Sequence, residues 1–261
     1  MTTEAMASLR SITLEIHAPL ARISIHHPPL NVINLAMMEE LARAMEEIEA
    51  RADVAVIVVG GMGKAFSAGV DVAAHTPDMV EEMLAKFHVV IRALVATKKV
   101  TIAAVHGHCL GGGAEIAMVC DVVYTTETAQ WGFPEIQLGC YPPVACTALA
   151  ALVGQKRAAE LILTGRTIRG KEAAEIGLAN HAVPDGEVAG AVDECIGHLR
   201  ELSPVALALA KKASYAWDSM HFDKGLARSE KIYFEDLIKT ADAHEGVRAF
   251  MEKREPKWTG K

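Results

Sequence analysis

Residues 105–121, VHGHCLGGGAEIAMVCD, constrain the fold of this chain more than any other stretch. They follow VTIAAV (100–105), a continuous apolar run of strand length. Gly111, Gly112 and Gly113 then open into AEIAMVC, a short helical run whose only polar side chain is Glu115. A strand apolar on both faces that enters a helix through glycines belongs in an α/β fold. The glycines let a backbone approach closely and leave N–H groups free at a helix start. Glu115 is then an acid in apolar surroundings, where its pKa rises. Free amides beside a buried carboxyl suit acyl chemistry: one part holds an oxyanion, the other moves a proton. The bland alternative is a glycine hinge with one solvated glutamate. The apolar character of the rest of the helix weighs against it.

The same pattern occurs one step upstream. VAVIVV (54–59) reads as another strand covered on both faces, ended by Gly60, Gly61 and Gly63. AFSAGVD (65–71) and AAHTPD (73–78) follow, then a helix over 79–97. DVVYT (121–125) is a third strand. Strand, glycine-rich loop and helix thus recur, with the loops gathered at one end of the strands. Before this core, residues 9–16 and 21–26 read as strands around a turn at 18–20, and Asn34 opens a helix over 35–51. After it come helices over 145–152, 157–164 and 171–176, an edge strand at 180–184 and a helix over 188–202. From Ser203 only helices are predicted, over 205–217, 225–239 and 245–254. We therefore divide the chain into a core, 1–202, and a helical appendage, 203–261, that packs on the core or on another subunit. Phe250 is the candidate contact residue of the last helix, whose alternative is a solvated surface.

Composition excludes whole classes of function. The net charge of −7 supplies no basic stripe for nucleic acid, although a small anionic ligand needs only a local site. Five widely spaced cysteines without a CxxC pair fit reduced thiols in the cytoplasm, and no ligand spacing suggests a metal. MTTEAMASLR lacks the apolar core of a signal peptide, and no apolar run reaches the ~20 residues of a membrane helix. A soluble protein is expected.

Residues 129–148, AQWGFPEIQLGCYPPVACTA, read as a loop by their glycines and prolines, but an unusually apolar one. Long loops of that kind are functional or packed over a pocket. Its only acid is Glu135, twenty residues after Glu115, a spacing that lets a helix and a loop face one cleft. Two carboxyls in one cleft divide acid and base roles, because burial and repulsion separate their pKa values. Ser67, in A-x-S-x-G, is either a nucleophile or a small loop residue. No downstream acid and histidine favour the first. There is no GxGxxG and no P-loop.

With AFSAGVD, CLGGGAEIAMVCD and FPEIQLG in that order, the chain resembles the crotonase (enoyl-CoA hydratase/isomerase) superfamily from HPPLNVIN to EGVRAFMEKREPKW. The resemblance implies a crotonase spiral of ββα units with a helical C-terminal trimerisation region. It implies an acyl-CoA substrate, no separate cofactor or metal, and a homotrimer or dimer of trimers. By resemblance, the amides of Val70 and Gly112 form an oxyanion hole around the thioester carbonyl, and Glu115 and Glu135 match the two glutamates that bind water in true hydratases. The CoA moiety would lie along residues 65–73, including Ala65, Ser67, Ala68, Asp71, Val72 and Ala73, near Gly111, with Phe250 and Lys253 reaching it from the last helix.

Two departures narrow the resemblance. Where most enoyl-CoA hydratases carry a Pro-Gly-rich turn after PEI-x-LG, this chain has CYPPVACT (140–147). Residues 70–78 read V-D-x-x-x-H-x-P-D. Both features, with CLGGG and the tail 242–258, look like the branch of cyclohexa-1,5-diene-1-carbonyl-CoA hydratases. In that branch His75 lies near the acyl pocket, the alternative being a solvated loop histidine. Cys140 and Tyr141 shape a ring pocket or simply pack. An ordinary short-chain enoyl-CoA hydratase/isomerase is the same-class alternative. A non-catalytic acyl-CoA binder and a thioester hydrolase are the others.

Overall fold

The computed structural model describes residues 7–8, 10–215 and 219–259. The chain runs through β1 (Ala7–Ser8), β2 (Ile12–His17), β3 (Leu20–Ile25), α1 (Leu35–Glu49), β4 (Val56–Gly61), α2 (Val80–Ala96), β5 (Val100–Val105), β6 (His108–Leu110), α3 (Gly112–Met118), β7 (Val122–Thr126) and β8 (Gln130–Gly132). It continues through α4 (Pro143–Val153), α5 (Gln155–Thr164), β9 (Thr167–Arg169), α6 (Gly170–Glu175), β10 (His181–Val183), α7 (Val188–Arg200), α8 (Pro204–Ser214), α9 (Ser219–Glu235) and α10 (Ala241–Met251). Two short 3₁₀ turns, Val72–His75 and Pro134–Leu138, flank the cleft described below. Residue 9, at the start of the first expected strand, and 216–217, at the end of an expected helix, lie outside the described residues.

The main sheet has the order β1-β2-β3-β4-β5-β7-β10. Its first two pairings are antiparallel and the rest parallel. Ile23, Val59, Ala103 and Val123 are register partners across its centre and all are buried. One face packs under α1 and α2. On the other, Val56, Val58 and Ile102 meet Val192 and Ile196 of α7. Cover on both faces is why these strands read as unbroken apolar runs.

A second layer makes the fold a spiral. Ser67 bridges Cys109, Cys109 of β6 pairs with Trp131 of β8, and Trp131 pairs with Ile168 of β9. Each of β4, β5 and β7 therefore lies in the first layer and is followed by a segment in the second, and then by a helix. This is the expected stack of ββα units, with the helical C-terminal region following it.

Several expectations change, and the helix expected over 225–239 starts at Ser219. Gly60 and Gly61 extend β4 rather than ending it. A Cβ on Gly61 would stand 2.2 Å from the Ala65 carbonyl oxygen, so the glycine lets the loop fold back over its own strand. Residues 129–148 are not a loop throughout: they hold β8, a 3₁₀ turn and the start of α4, with Pro143 in the first turn, where a missing N–H costs nothing. The last helix starts four residues earlier than expected, because the Thr240 side chain caps it by accepting from the Ala243 N–H at 3.1 Å.

The helices after Ser203 pack on the core. Leu226 and Tyr233 of α9 and Val247 of α10 join its main apolar cluster. Gly246 of α10 approaches the Leu138 carbonyl so closely that a Cβ would lie 2.1 Å from the oxygen. Among the described residues no helix is long and apolar enough to cross a membrane.

Candidate active site

The two glycine-rich loops are hydrogen-bonded to each other. Ser67 N–H donates to the His108 carbonyl at 3.0 Å, and Leu110 N–H donates to the Ser67 carbonyl at 3.0 Å. The register places 67–70 alongside 109–112. The glycines are needed for this approach: a Cβ on Gly112 would lie 2.6 Å from a Val70 methyl, and one on Gly113 would lie 2.7 Å from the Ser67 Cβ. Gly111, with φ +50°, makes the turn into α3.

Val70 bridges Ile33 in parallel. Ile33 N–H donates to the Gly69 carbonyl and Asp71 N–H to the Ile33 carbonyl. That pattern uses the groups on either side of Val70 and turns its own N–H away from Ile33. Gly112 opens α3, where the first N–H groups have no acceptor within the helix.

Asn31, which the sequence does not single out, holds the first loop in place. It is buried with φ +56°. Its Nδ2 donates to the carbonyls of Met62 at 2.9 Å and Ala65 at 2.7 Å, and its Oδ1 accepts from the His27 N–H at 2.9 Å. Ser67 is equally structural in its bonding. Its Oγ donates to the Asn31 carbonyl at 2.7 Å and accepts from the Gly69 N–H at 3.1 Å.

The two glutamates face one cleft. Glu115, on α3, is buried, and its Oε1 accepts from the N–H groups of Val144 and Ala145, both at 2.9 Å. It thus caps α4 from another element. Burial pushes its carboxyl up to about 7, against the pull of those two amides. Glu135 sits in the Pro134–Leu138 turn, which Gly139 closes at φ +69°. Its Oε2 is enclosed and has no hydrogen-bond partner among the described residues. Burial first, and then the charge of Glu115, push its carboxyl well above the usual range. The charge of Glu115 opposes ionisation of Glu135.

The cleft has a cavity volume of about 80 Å³. Ala68, Val70, Val72, His75, Gly111, Gly112, Glu115, Glu135 and Tyr141 line it, so the structure brings these expected positions together. His75 is buried there, its Nδ1 at 3.1 Å from the Asp71 carbonyl, and burial lowers its pKa. The remaining positions lie outside the lining. Ala65, Ser67 and Cys140 are buried behind it. Asp71 caps the Val72–His75 turn through the Ala73 N–H. Phe250, at the end of α10, is 54 % exposed, and Lys253 follows that helix. The cleft also has lining the sequence does not mark: Met83, Leu84 and Phe87 from one face of α2, and Tyr233 from α9. The three α2 residues fall at helical spacing, which reads as core. Tyr233 carries no signal in sequence, since only the fold brings α9 to the cleft. Among the described residues no group of three or more metal-ligating side chains occurs.

The chain was compared with known proteins. Residues 15–261 match the enoyl-CoA hydratase/isomerase family model. A probable enoyl-CoA hydratase of Bacillus subtilis strain 168 is 33 % identical over 258 residues, covering 97 % of this chain and 100 % of that protein. The cyclohexa-1,5-dienecarbonyl-CoA hydratase of Thauera aromatica is 32 % identical over 258 residues, covering 98 % of each. The crystal structure of an enoyl-CoA hydratase from Mycobacterium avium subsp. paratuberculosis K-10 superposes with a TM-score of 0.87 at 28 % identity, over 96 % of this chain and 99 % of the other. The spiral, the paired glycine loops and these full-length matches together lead to one conclusion: the chain is a hydro-lyase-type enzyme that belongs to the enoyl-CoA hydratase/isomerase family of the crotonase superfamily.

Proposed function

We propose that this enzyme adds water to a cyclic conjugated dienoyl thioester, turning cyclohexa-1,5-diene-1-carbonyl-CoA into 6-hydroxycyclohex-1-ene-1-carbonyl-CoA in anaerobic aromatic degradation. The amides of Val70 and Gly112 receive the thioester oxygen as negative charge builds on it. Loss of one such donor typically costs roughly 10²–10³ in rate. Glu115 and Glu135 hold the water between them. One takes a proton from it as it attacks, and the other delivers a proton to carbon. The reaction requires only the thioester and water.

The observation that carries the cyclic substrate is the wall after Glu135. Tyr141 meets Tyr233 edge-on, ring centroids 5.2 Å apart, and Leu138, Pro142 and Pro143 continue the surface. Flat aromatic and proline side chains offer a surface suited to the face of a six-membered ring. The Thauera aromatica relative supports the same reading. A second reading, a short-chain enoyl-CoA hydratase/isomerase, is favoured by relatives of similar identity that carry the general name. Parallel assays with the cyclic diene thioester and with crotonyl-CoA, followed by loss of conjugated absorbance, decide between them. Faster consumption of the cyclic substrate is expected, and consumption of the linear one alone would end the specific assignment.

The CoA moiety is proposed to run along residues 65–73, towards Phe250 and Lys253. Packing of α10 near the Val72–His75 turn supports that path. A trimer or dimer of trimers formed through the C-terminal helices is part of the proposal, supported by exposed Val205 and Leu209 on α8. Free thiols at all five cysteines favour a cytoplasmic setting.

A further inference from the structure

Tyr233 lies on α9 and is 1 % exposed, yet it lines the cleft. The two tyrosines that meet there use their hydroxyls differently. Tyr141 O–H donates to the Ser229 carbonyl at 2.7 Å, which ties the segment after Glu135 to α9. The Tyr233 hydroxyl is buried, and apart from the Cys140 thiol no group among the described residues takes up its hydrogen bonding. Beside it lies the Cys140 thiol, a weak group already turned to the Leu138 carbonyl at 3.6 Å.

A buried hydroxyl with only a weak thiol beside it is costly, and phenylalanine would fill the same space without that cost. Glu135 lines the same cleft, and its Oε2 is enclosed and has no partner among the described residues. The two stand on the same wall, because Cys140, next to the phenol, donates its N–H to the Glu135 carbonyl at 3.1 Å. Two enclosed oxygens on one wall, one without a partner and one with only a thiol beside it, make a place for a polar atom that arrives with the ligand. A water or hydroxyl held in such a site takes two to four partners.

Resting on the hydration reading above, we propose that Tyr233 is a specificity-determining residue: its hydroxyl, with the Glu135 carboxyl, holds the oxygen that hydration adds, as water before the reaction and as the hydroxyl of the hydroxyacyl thioester afterwards. A site built around a substrate hydroxyl discriminates against the analogue that lacks it, because the groups meant for the oxygen are left unpaired. The helical C-terminal region thereby takes part in reading the acyl group.

The test is calorimetric titration of 3-hydroxybutyryl-CoA and of butyryl-CoA, which differ by this oxygen. Both are titrated into the full chain carrying Glu115→Gln to prevent turnover, and into the same protein with Tyr233→Phe added. The first protein is expected to prefer the hydroxyacyl thioester. Tyr233→Phe is expected to weaken that ligand about tenfold and the saturated one less than about twofold. Equal weakening of both ligands by Tyr233→Phe would overturn the proposal, as would an absence of preference in the first protein. Should the preference exist and vanish in Tyr233→Phe while wild-type protein hydrates no enoyl thioester, the hydroxyl-reading role stands and the hydratase reading falls.

Discussion

Glu135 lies against Gly111 so closely that a Cβ at position 111 would stand 2.7 Å from its Oε1. The glycine that turns the chain into α3 is also the surface on which the second carboxyl rests. Gly111 at φ +50° and ψ −128° is in a conformation that side chains avoid. Gly111→Ala is therefore expected to destabilise the fold by about 2–4 kcal/mol. It is also expected to lower kcat more than it raises KM, because it displaces the carboxyl proposed to react. Urea denaturation and steady-state kinetics check the two effects, and an alanine variant of native stability and full kcat would contradict the close approach.

The two glutamates are expected to act in catalysis rather than in binding. Glu115→Gln and Glu135→Gln should each reduce kcat by about 10²–10⁴ while the affinity for the thioester changes little. The amide side chain introduced by Glu115→Gln still offers an oxygen to the N–H groups of Val144 and Ala145, so α4 keeps its cap. Full activity in either variant removes that residue from the mechanism.

Glu115 makes stability depend on pH in a defined direction. Its folded value of about 7 lies above the ordinary 4.5, so between those values the folded state binds more protons than the unfolded one. Stability from this group is present below about pH 4.5, declines as pH rises towards about 7, and is level beyond. Glu135 contributes in the same direction. Urea midpoints measured from about pH 5 to 8 should fall more, or rise less, with rising pH in the wild type than in Glu115→Gln, since buried His75 acts in the opposite direction in both. Equal pH slopes in the two proteins would show that burial does not govern Glu115.

Asn31 is expected to matter as much for the fold as the glutamates do for chemistry. Replacing it by alanine leaves the carbonyls of Met62 and Ala65 and the N–H of His27 without their side-chain partner, and puts alanine at φ +56°. A loss of about 2–4 kcal/mol in urea denaturation is expected. Residual activity per folded molecule should also be reduced, since the loop that carries Val70 is no longer held.

How far the sequence reveals this molecule depends on the range of the contacts. The buried strands at Val59 and Ala103 and the face of α1 formed by Met38, Leu41, Met45 and Ile48 are local periodic patterns, and they are found where the pattern predicts. The acid in an apolar helix, Glu115, was legible for the same reason. The second layer was not: β6, β8 and β9 have three residues each, too short for a period, and they exist because Cys109, Trp131 and Ile168 meet across the spiral. Asn31 and Tyr233 were illegible for a related reason. Their roles depend on partners far away in sequence, at Ala65 for one and Cys140 for the other.

The central claim is that two enclosed carboxyls beside paired glycine loops add water to an unsaturated CoA thioester. The most direct measurement follows the conjugated absorbance of the cyclic diene thioester, and of crotonyl-CoA alongside it, with wild-type protein, Glu115→Gln and Glu135→Gln. The account predicts loss of absorbance with wild type, product heavier by one water in mass spectrometry, and a fall of at least about 10² in rate for each variant. Unchanged absorbance of both substrates with folded wild-type protein, or wild-type rates in both variants, would contradict it.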